Sequence, residues 1–330
     1  MDFLAIFENT VRGLIGEQFI YFGLAAIGLN MHYGYTGLLN FGQAVFMAAG
    51  AYGLSMAVVS LGLSFWLGLV LGIVVFPLIL ALIMGAPTLR LRADYLAIVT
   101  IASSEMFRII ARSPSLDRWT GSSDGLTAFA NDFYEMSPFQ PGRRYLFGLF
   151  IGNQMWVVVV GWALLAIVVT LVWAMMRSPW GRVLRAIRED EDAARSLGKN
   201  AYWFKMQALM LGGMFGALGG MLRAIGTQSS QPQNFITDVT FFAWVALILG
   251  GVAKIGGPVL GAAILYGVLN FTDIALRQMV QSGIMPESIM DGTQVGQVRF
   301  MLIGLGLVSL AIMRPQGILG KKEEMALDDH

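Results

Sequence analysis

Cysteine is absent from the 330 residues, and only two histidines occur, His32 and His330. Without thiols there is no disulfide framework, no thiolate metal site and no cysteine nucleophile. Two histidines leave almost no material for a histidine-rich metal centre or a Ser-His-Asp triad. Charge is scarce as well. Asp, Glu, Lys and Arg make up 13% of the chain, about half of the roughly 25% usual in soluble domains. A net charge of +1 argues against a nucleic-acid surface. The stretch Met1–Gln18 carries Asp2, Glu8, Arg12 and Glu17 and lacks a basic region before an apolar core, so it does not read as a cleavable signal peptide. No GxxxxGK[ST] loop occurs, so the chain has no phosphate cradle for hydrolysing ATP.

What is abundant is apolar. Hydrophobic residues make up 56% of the chain, and the runs Phe65–Met84 and Met155–Met176 contain no charge. About 20 such residues cross a hydrocarbon core about 30 Å thick. The expected fold is an all-α polytopic membrane protein, a single transmembrane domain over residues 1–330. Its about nine transmembrane or half-membrane helices fall near residues 15–31, 38–60, 64–84, 95–112, 151–176, 206–226, 239–253, 258–276 and 298–313. Forty glycines allow helices to approach closely or to break where they line a cavity. The sixth to eighth spans are glycine-interrupted and read as candidates for broken or half-length helices. Glycine-interrupted segments near 34–53 and 240–267 occupy corresponding places in the two halves, the trace expected of an internal repeat.

Polar stretches lie at 113–149, 177–205 and 277–297, with a shorter one at 227–238. If 177–205 faces the cytoplasm, alternation puts Arg90, Arg92, Lys254, Arg314, Lys321 and Lys322 on the same side. That side then holds 13 of the 22 Lys and Arg residues. The excess predicts an N-terminus outside, a C-terminus in the cytoplasm and an extracytoplasmic 113–149 loop.

Residues 177–205 read RSPWGRVLRAIREDEDAARSLGKNAYWFK. Pro179 suits a first helical turn, and Val183, Leu184 and Ile187 recur at helical spacing. A second short helix is predicted over Asp190–Leu197, with Glu191 and Asp192 at its positive end and Gly198 closing it in a left-handed cap. Ala193, Ala194 and Leu197 among charges suit a helix docking into another protein's groove. A solvated loop, made basic by the positive-inside rule, accounts for the same residues equally well.

Within the spans, Asn40 and Gln43 sit beside Gly37, Gly42, Gly50 and Gly53. They line a solute route, with the glycines letting the helix break, or they join helices by hydrogen bonds; both readings stand. Glu105 lies about ten residues into the fourth span, with Arg108 at i+3. A structural Glu105–Arg108 pair is favoured over a solute-facing carboxylate. Ala208, Gly212, Gly216 and Gly220 form a ladder of small residues for close packing on another helix. Thr120–Gly125 reads as a turn with local side-chain hydrogen bonds.

Asp192-Ala193-Ala194, three residues and Gly198 resemble the EAA loop of ABC importer permeases, with Asp in place of the usual Glu. The fuller string SPWGRVLRAIREDEDAARSLG is similar to the LivM-type permeases of high-affinity branched-chain amino acid importers. Further matching segments follow that family in order: GYTGLLNFGQAVFMAAGAYG (34–53), LRLRADYLAIVTIASSEMFR (89–108), TGSSDGL (120–126), GGPVLGA (256–262) and RPQGILG (314–320). There are two departures: the family often has His where Gln43 stands, and the segment after GGVAK is shorter than usual. The resemblance implies a non-catalytic permease subunit in the cell membrane, with no cofactor bound by this chain. It further implies two partner ABC ATPases that use ATP and Mg, a second related permease, and an extracytoplasmic solute-binding protein. Glu191, Asp192, Ala193, Ala194, Leu197 and Gly198 would couple to the ATPases. Related ABC permeases carry urea or short amides, and that is the alternative cargo. An ion-coupled secondary transporter is a rival of another class; it needs intramembrane acids, of which only Glu105 qualifies.

Overall fold

The computed structural model describes residues 3–91, 93–146, 148–282, 294–314 and 316–320. Asp2, Arg92, Lys321, Lys322, His330 and part of the 277–297 stretch lie outside the described residues. The first helices are α1 (Phe3–Ile15), α2 (Glu17–Leu29), α3 (Gln43–Ser55), α4 (Phe65–Val70), α5 (Phe76–Thr88) and α6 (Ala93–Ala111). The loop helices α7 (Asp117–Thr120) and α8 (Asn131–Glu135) follow, then α9 (Gly152–Arg177), α10 (Pro179–Glu189) and α11 (Glu191–Ser196). The chain continues with α12 (Ala201–Thr227), α13 (Thr237–Gly250), α14 (Gly257–Gln281) and α15 (Val295–Met313). Among the described residues, strands are confined to two-residue ladders, β1 (Leu126–Thr127) with β4 (Ser229–Ser230) and β2 (Arg144–Tyr145) with β3 (Phe150–Ile151). The fold is all-α.

Each expected span position holds a helix. Among the described residues, seven segments are long and apolar enough to cross a membrane, and α6 and α15 occupy the two remaining positions. Ile6–Gly34, Gln43–Ser60 and Ala201–Thr227 are each 78% buried over their most apolar stretch, against 28% for Phe65–Thr88 and 33% for Gly152–Arg177. Helices α2, α3 and α12 therefore form the centre. The apolar α4–α5 and α9 turn exposed Trp66, Ile83, Ile167 and Leu171 outward, as lipid-facing helices must.

Three boundaries differ from the sequence reading. The first helix begins earlier, because α1 precedes α2 with a break at extended Gly16 and packs along α14. The second span is not helical at its start. Residues 37–42 run as non-helical chain, with Leu38, Asn40 and Gly42 buried, between a π-helical turn at Asn30–Gly34 and the first residue of α3. The glycine-bearing α12 and α14 are unbroken, whereas α13 has 14 residues, about 21 Å at 1.5 Å per residue. The α12 glycines serve close packing instead: a Cβ would meet the His32 ring at Gly212, the Phe46 ring at Gly213, the Gln43 amide at Gly216 and the Met47 carbonyl at Gly220.

One end of the bundle gathers the basic segments. Arg90 lies over the Tyr202 ring at 5.7 Å, Asn30 donates to the Lys254 carbonyl at 2.9 Å, and the Ile318 N–H meets the Leu249 carbonyl at 3.0 Å. At the other end, Ser60 donates to the Trp119 carbonyl at 3.0 Å. There the Ser122 N–H donates to Thr120 Oγ1 at 3.3 Å, a local bond of the turn, while Thr120 donates to the Ala111 carbonyl at 2.7 Å and Ser122 to the Arg112 carbonyl at 2.8 Å, tying the turn to the end of α6. Tyr134 donates to the Ile225 carbonyl at 2.8 Å. Burial, with the charge of Glu17 second, pushes the Tyr134 phenol up to about 12, so it stays a protonated donor at any physiological pH.

Candidate functional site

The basic end is built from α10 and α11. Ser178 caps α10, accepting from the Gly181 N–H at 3.4 Å, with Pro179 in the first turn. The Asp190 carboxylate caps α11 through the Ala193 N–H at 2.9 Å. Gly198 takes the left-handed conformation, φ +77°. The Lys199 N–H then reaches the Ala194 carbonyl at 3.1 Å and the Gly198 N–H the Arg195 carbonyl at 2.9 Å, the paired bonds of a Schellman cap. Glu191 pairs with Arg195 at 2.6 Å and with Lys205 on α12.

The apolar residues of α11 divide between two faces. Ala194 is 4% exposed and packs with Ile187 and Ala201 inside the chain. The expectation that it faces an external groove is corrected: this methyl seats α11 on α10 and α12. Ala193 is exposed and Leu197 is 80% exposed. They lie four residues apart, on one side of the turn, and Asp192 is exposed beside them. A second anchor is Arg188, whose Nη1 donates to the Gly34 carbonyl at 2.6 Å. It ties α10 to the π-helical turn ahead of the non-helical 37–42 segment.

That segment is held from all sides. Gly37 turns the chain at φ +71°, and the freed backbone groups find side chains. The Phe41 N–H donates to Thr100 Oγ1 at 3.0 Å and the Ala44 N–H to Thr240 Oγ1 at 2.8 Å. The Asn40 carbonyl accepts from Trp244 Nε1 at 3.0 Å, and the Gly42 N–H donates to Asn40 Oδ1 at 2.8 Å. Non-helical backbone at membrane depth survives only when satisfied in this way. Asn40 and Gln43 are fully enclosed, 1% and 0% exposed. Gln43 donates to the Ala25 carbonyl at 3.2 Å and the Gly212 carbonyl at 3.3 Å, bridging α2 and α12.

His32 completes the cluster, a residue that sequence reasoning used only to argue against metal and catalytic-triad chemistry. Its Nδ1 faces Asn40 Nδ2 at 2.9 Å and its Nε2 the Leu209 carbonyl at 3.1 Å. This fits a ring that accepts at Nδ1 and donates from Nε2. The α12 ladder makes room for the group: a Cβ at Gly212 would overlap His32 Nε2, and one at Gly216 would overlap Gln43 Nε2. The ladder therefore packs within the chain.

Glu105 lies apart from this cluster. Its carboxylate accepts from Arg108 Nε at 2.8 Å, the i,i+3 pair expected, and from Thr237 Oγ1 at 2.7 Å, which joins α6 to the start of α13. Its side chain remains 34% exposed.

At the end away from α10, a cavity of about 420 Å³ is bordered by Arg223, Asp238 and Arg299 together with Tyr21, Phe242 and Tyr266. Arg223 donates to the Asn234 carbonyl at 2.6 Å, and Arg299 pairs with Asp273 at 3.1 Å. Fixed cations, one carboxylate and aromatic walls can hold a small zwitterion with an apolar side chain. The signal for Arg223 was present in the sequence, as a charge within an otherwise apolar span.

Comparison with known proteins gives a consistent picture. The family described as branched-chain amino acid transport system / permease component matches residues 14–290. The high-affinity branched-chain amino acid transport system permease protein LivM of Salmonella typhimurium is 28% identical over 309 residues, covering 90% of this chain and 67% of that protein. Its Escherichia coli counterpart is 27% identical over 310 residues, with coverage of 90% and 67%. A probable LivM permease of Methanocaldococcus jannaschii is 26% identical over 351 residues, with 94% of each chain covered. No solved structure matches.

Proposed function

Because this chain belongs to the family of branched-chain amino acid transport permease components, we propose that it is the membrane-spanning permease subunit of an ATP-driven importer of branched-chain amino acids. In this reading the α10–α11 end is cytoplasmic and the N-terminus lies outside. Two ATPase subunits carry ATP and Mg, a second related permease pairs with this chain, and an external binding protein delivers the solute. The chain itself catalyses nothing.

The observation that carries the reading is the α10–α11 unit. It offers Leu197 and Ala193 outward while bonded inward to α12 through Glu191–Lys205 and to the end of α2 through Arg188–Gly34. A groove in the ATPase that grips Leu197 moves the unit as one body, with Glu191, Asp192 and the Gly198 cap fixing its shape. Arg188 then passes displacement to the turn ahead of residues 37–42. Asn40 and Gln43 shape the solute route there by holding the interrupted helix open or closed. Solute enters from the cavity bordered by Arg223, Asp238 and Arg299, and Glu105 fixes α6 to α13 beside it. Two packings biased by a partner's differential contacts are sufficient for alternating access.

The test is uptake of radiolabelled leucine by proteoliposomes holding the complete complex. ATP-dependent uptake, competed by isoleucine and valine but not urea, supports the reading. Uptake driven by an ion gradient without ATP, or competition by urea alone, overturns it.

A further inference from the structure

Beside the coupling unit lies a second concave site that the transport reading leaves unused. A cavity of about 350 Å³ opens between the end of α9, the start of α10, Tyr35 and the turn before α14. Arg177, Arg182 and Arg185 border it, and among the described residues no carboxylate does. Arg185 is held in place, donating to the Met176 carbonyl at 3.0 Å and the Gly181 carbonyl at 3.4 Å. Arg177 stacks on Trp173 at 4.1 Å. Among the described residues, none of the three arginines meets a carboxylate. Tyr35 lies at the inner wall, 3% exposed, with its hydroxyl beside the Asn30 amide. The neighbouring Asn30 amide is spent on the Ala253 N–H and the Lys254 carbonyl.

Three guanidinium groups bordering one cavity, with no carboxylate among the described residues there, are suited to binding a phosphate. The surroundings say what carries the phosphate. The cavity sits where the lipid-facing α9 ends, with Trp173 exposed at the level expected of an interfacial aromatic. Val169 and the exposed Trp162, four and eleven residues before Trp173, continue the same apolar side of α9 away from it. A charged head in the cavity would have its tails on that face.

We propose that this cavity binds the headgroup phosphate of an anionic phospholipid, which braces α10 against α9 and the end of α2. A basic pocket between transmembrane helices at the cytoplasmic surface is suited to such lipids. The inference goes beyond the transport reading and needs only that the chain spans a bilayer. Lipid occupancy would stiffen the unit through which the ATPases act, making transport sensitive to bilayer charge.

The experiment is native mass spectrometry of the full chain released from bilayers of equal phosphatidylcholine and phosphatidylglycerol. Wild type is expected to retain phosphatidylglycerol preferentially. Arg182→Gln touches an exposed guanidinium with no bonded partner in the described protein and should lower that preference about fivefold, the worth of one cation near a charged surface. Arg182→Glu should abolish it, and Arg118→Gln, at the opposite end, should leave it intact. Equal retention of the two lipids overturns the proposal, as does an unchanged preference in both Arg182 variants. Displacement of the lipid by millimolar glycerol 3-phosphate overturns the lipid assignment in favour of a soluble phosphate. Because the readout involves neither uptake nor ATP, failure here is separable from failure of the importer reading.

Discussion

Replacing Leu197 by alanine isolates the outward face of α11. The side chain lies past the last helical turn and is 80% exposed, so its truncation removes little from the fold. If a partner's groove encloses it, three carbon groups at about 0.8 kcal/mol each are lost, scaled by the exposed four-fifths, or about 2 kcal/mol. At 1.4 kcal/mol per tenfold, ATPase affinity should fall about 20- to 30-fold. Melting of the permease should shift by no more than a degree or so, since a largely exposed substitution costs within about 0.5 kcal/mol. The assay is titration of purified ATPase onto permease in nanodiscs, with melting measured on the same samples. Ala194→Arg is the control for the inward face. It drives a cation into the contact with Ile187 and Ala201, so lost ATPase binding should come with lowered melting. Wild-type ATPase affinity in Leu197→Ala would refute the docking face. Equal loss of stability in both variants would show that Leu197 supports the fold instead.

The remaining expectations rest on the membrane interior. Gly216→Leu forces a side chain into Gln43 and should abolish assembly or make it strongly detergent-sensitive, measured by size-exclusion profiles; normal assembly and transport refute the close packing. Thr240→Val keeps shape but strands the buried Ala44 N–H, and should cost about 1–3 kcal/mol of stability, while Thr240→Ser restores it; a Val variant melting like wild type refutes the role. Glu105→Gln weakens the bonds to Arg108 and Thr237 and should lower the yield of folded complex more than it alters competition among solutes. Normal yield with altered preference would make Glu105 a solute contact.

The coupling segment was legible because it obeys the grammar of soluble helices. Pro179 and Gly198 mark boundaries by backbone chemistry that a neighbouring helix does not override. The direction of Ala194 was not legible: on six residues, adjacent alanines and a leucine cover both faces, and only the tertiary contact with Ile187 decides which turns inward. Residues 37–42 escaped for a related reason. Leu38, Leu39 and Phe41 look helical in an apolar run, and the interruption depends on Thr100, Thr240 and Trp244 arriving from helices far along the chain. The glycines of α12 carried the opposite ambiguity, since the same residue type permits a break or a close crossing. Glu105 and Arg108 were paired by spacing alone, whereas Thr237, 132 residues away, has no local signature.

The glycines also divide the protein for anyone engineering it. The common stabilising exchange of helical glycine for alanine, worth about 0.8–1.0 kcal/mol each, is closed along α12: an added methyl at Gly220 would overlap the Met47 carbonyl and one at Gly213 the Phe46 ring. On α15, Gly304 and Gly306 have nothing within 4 Å of the same methyl. Thermostabilising libraries should therefore be spent on α15, and they would double as a footprinting experiment. An alanine there that raises the melting point of the isolated chain, yet weakens the assembled transporter, marks the strip of α15 against which a second membrane helix rests.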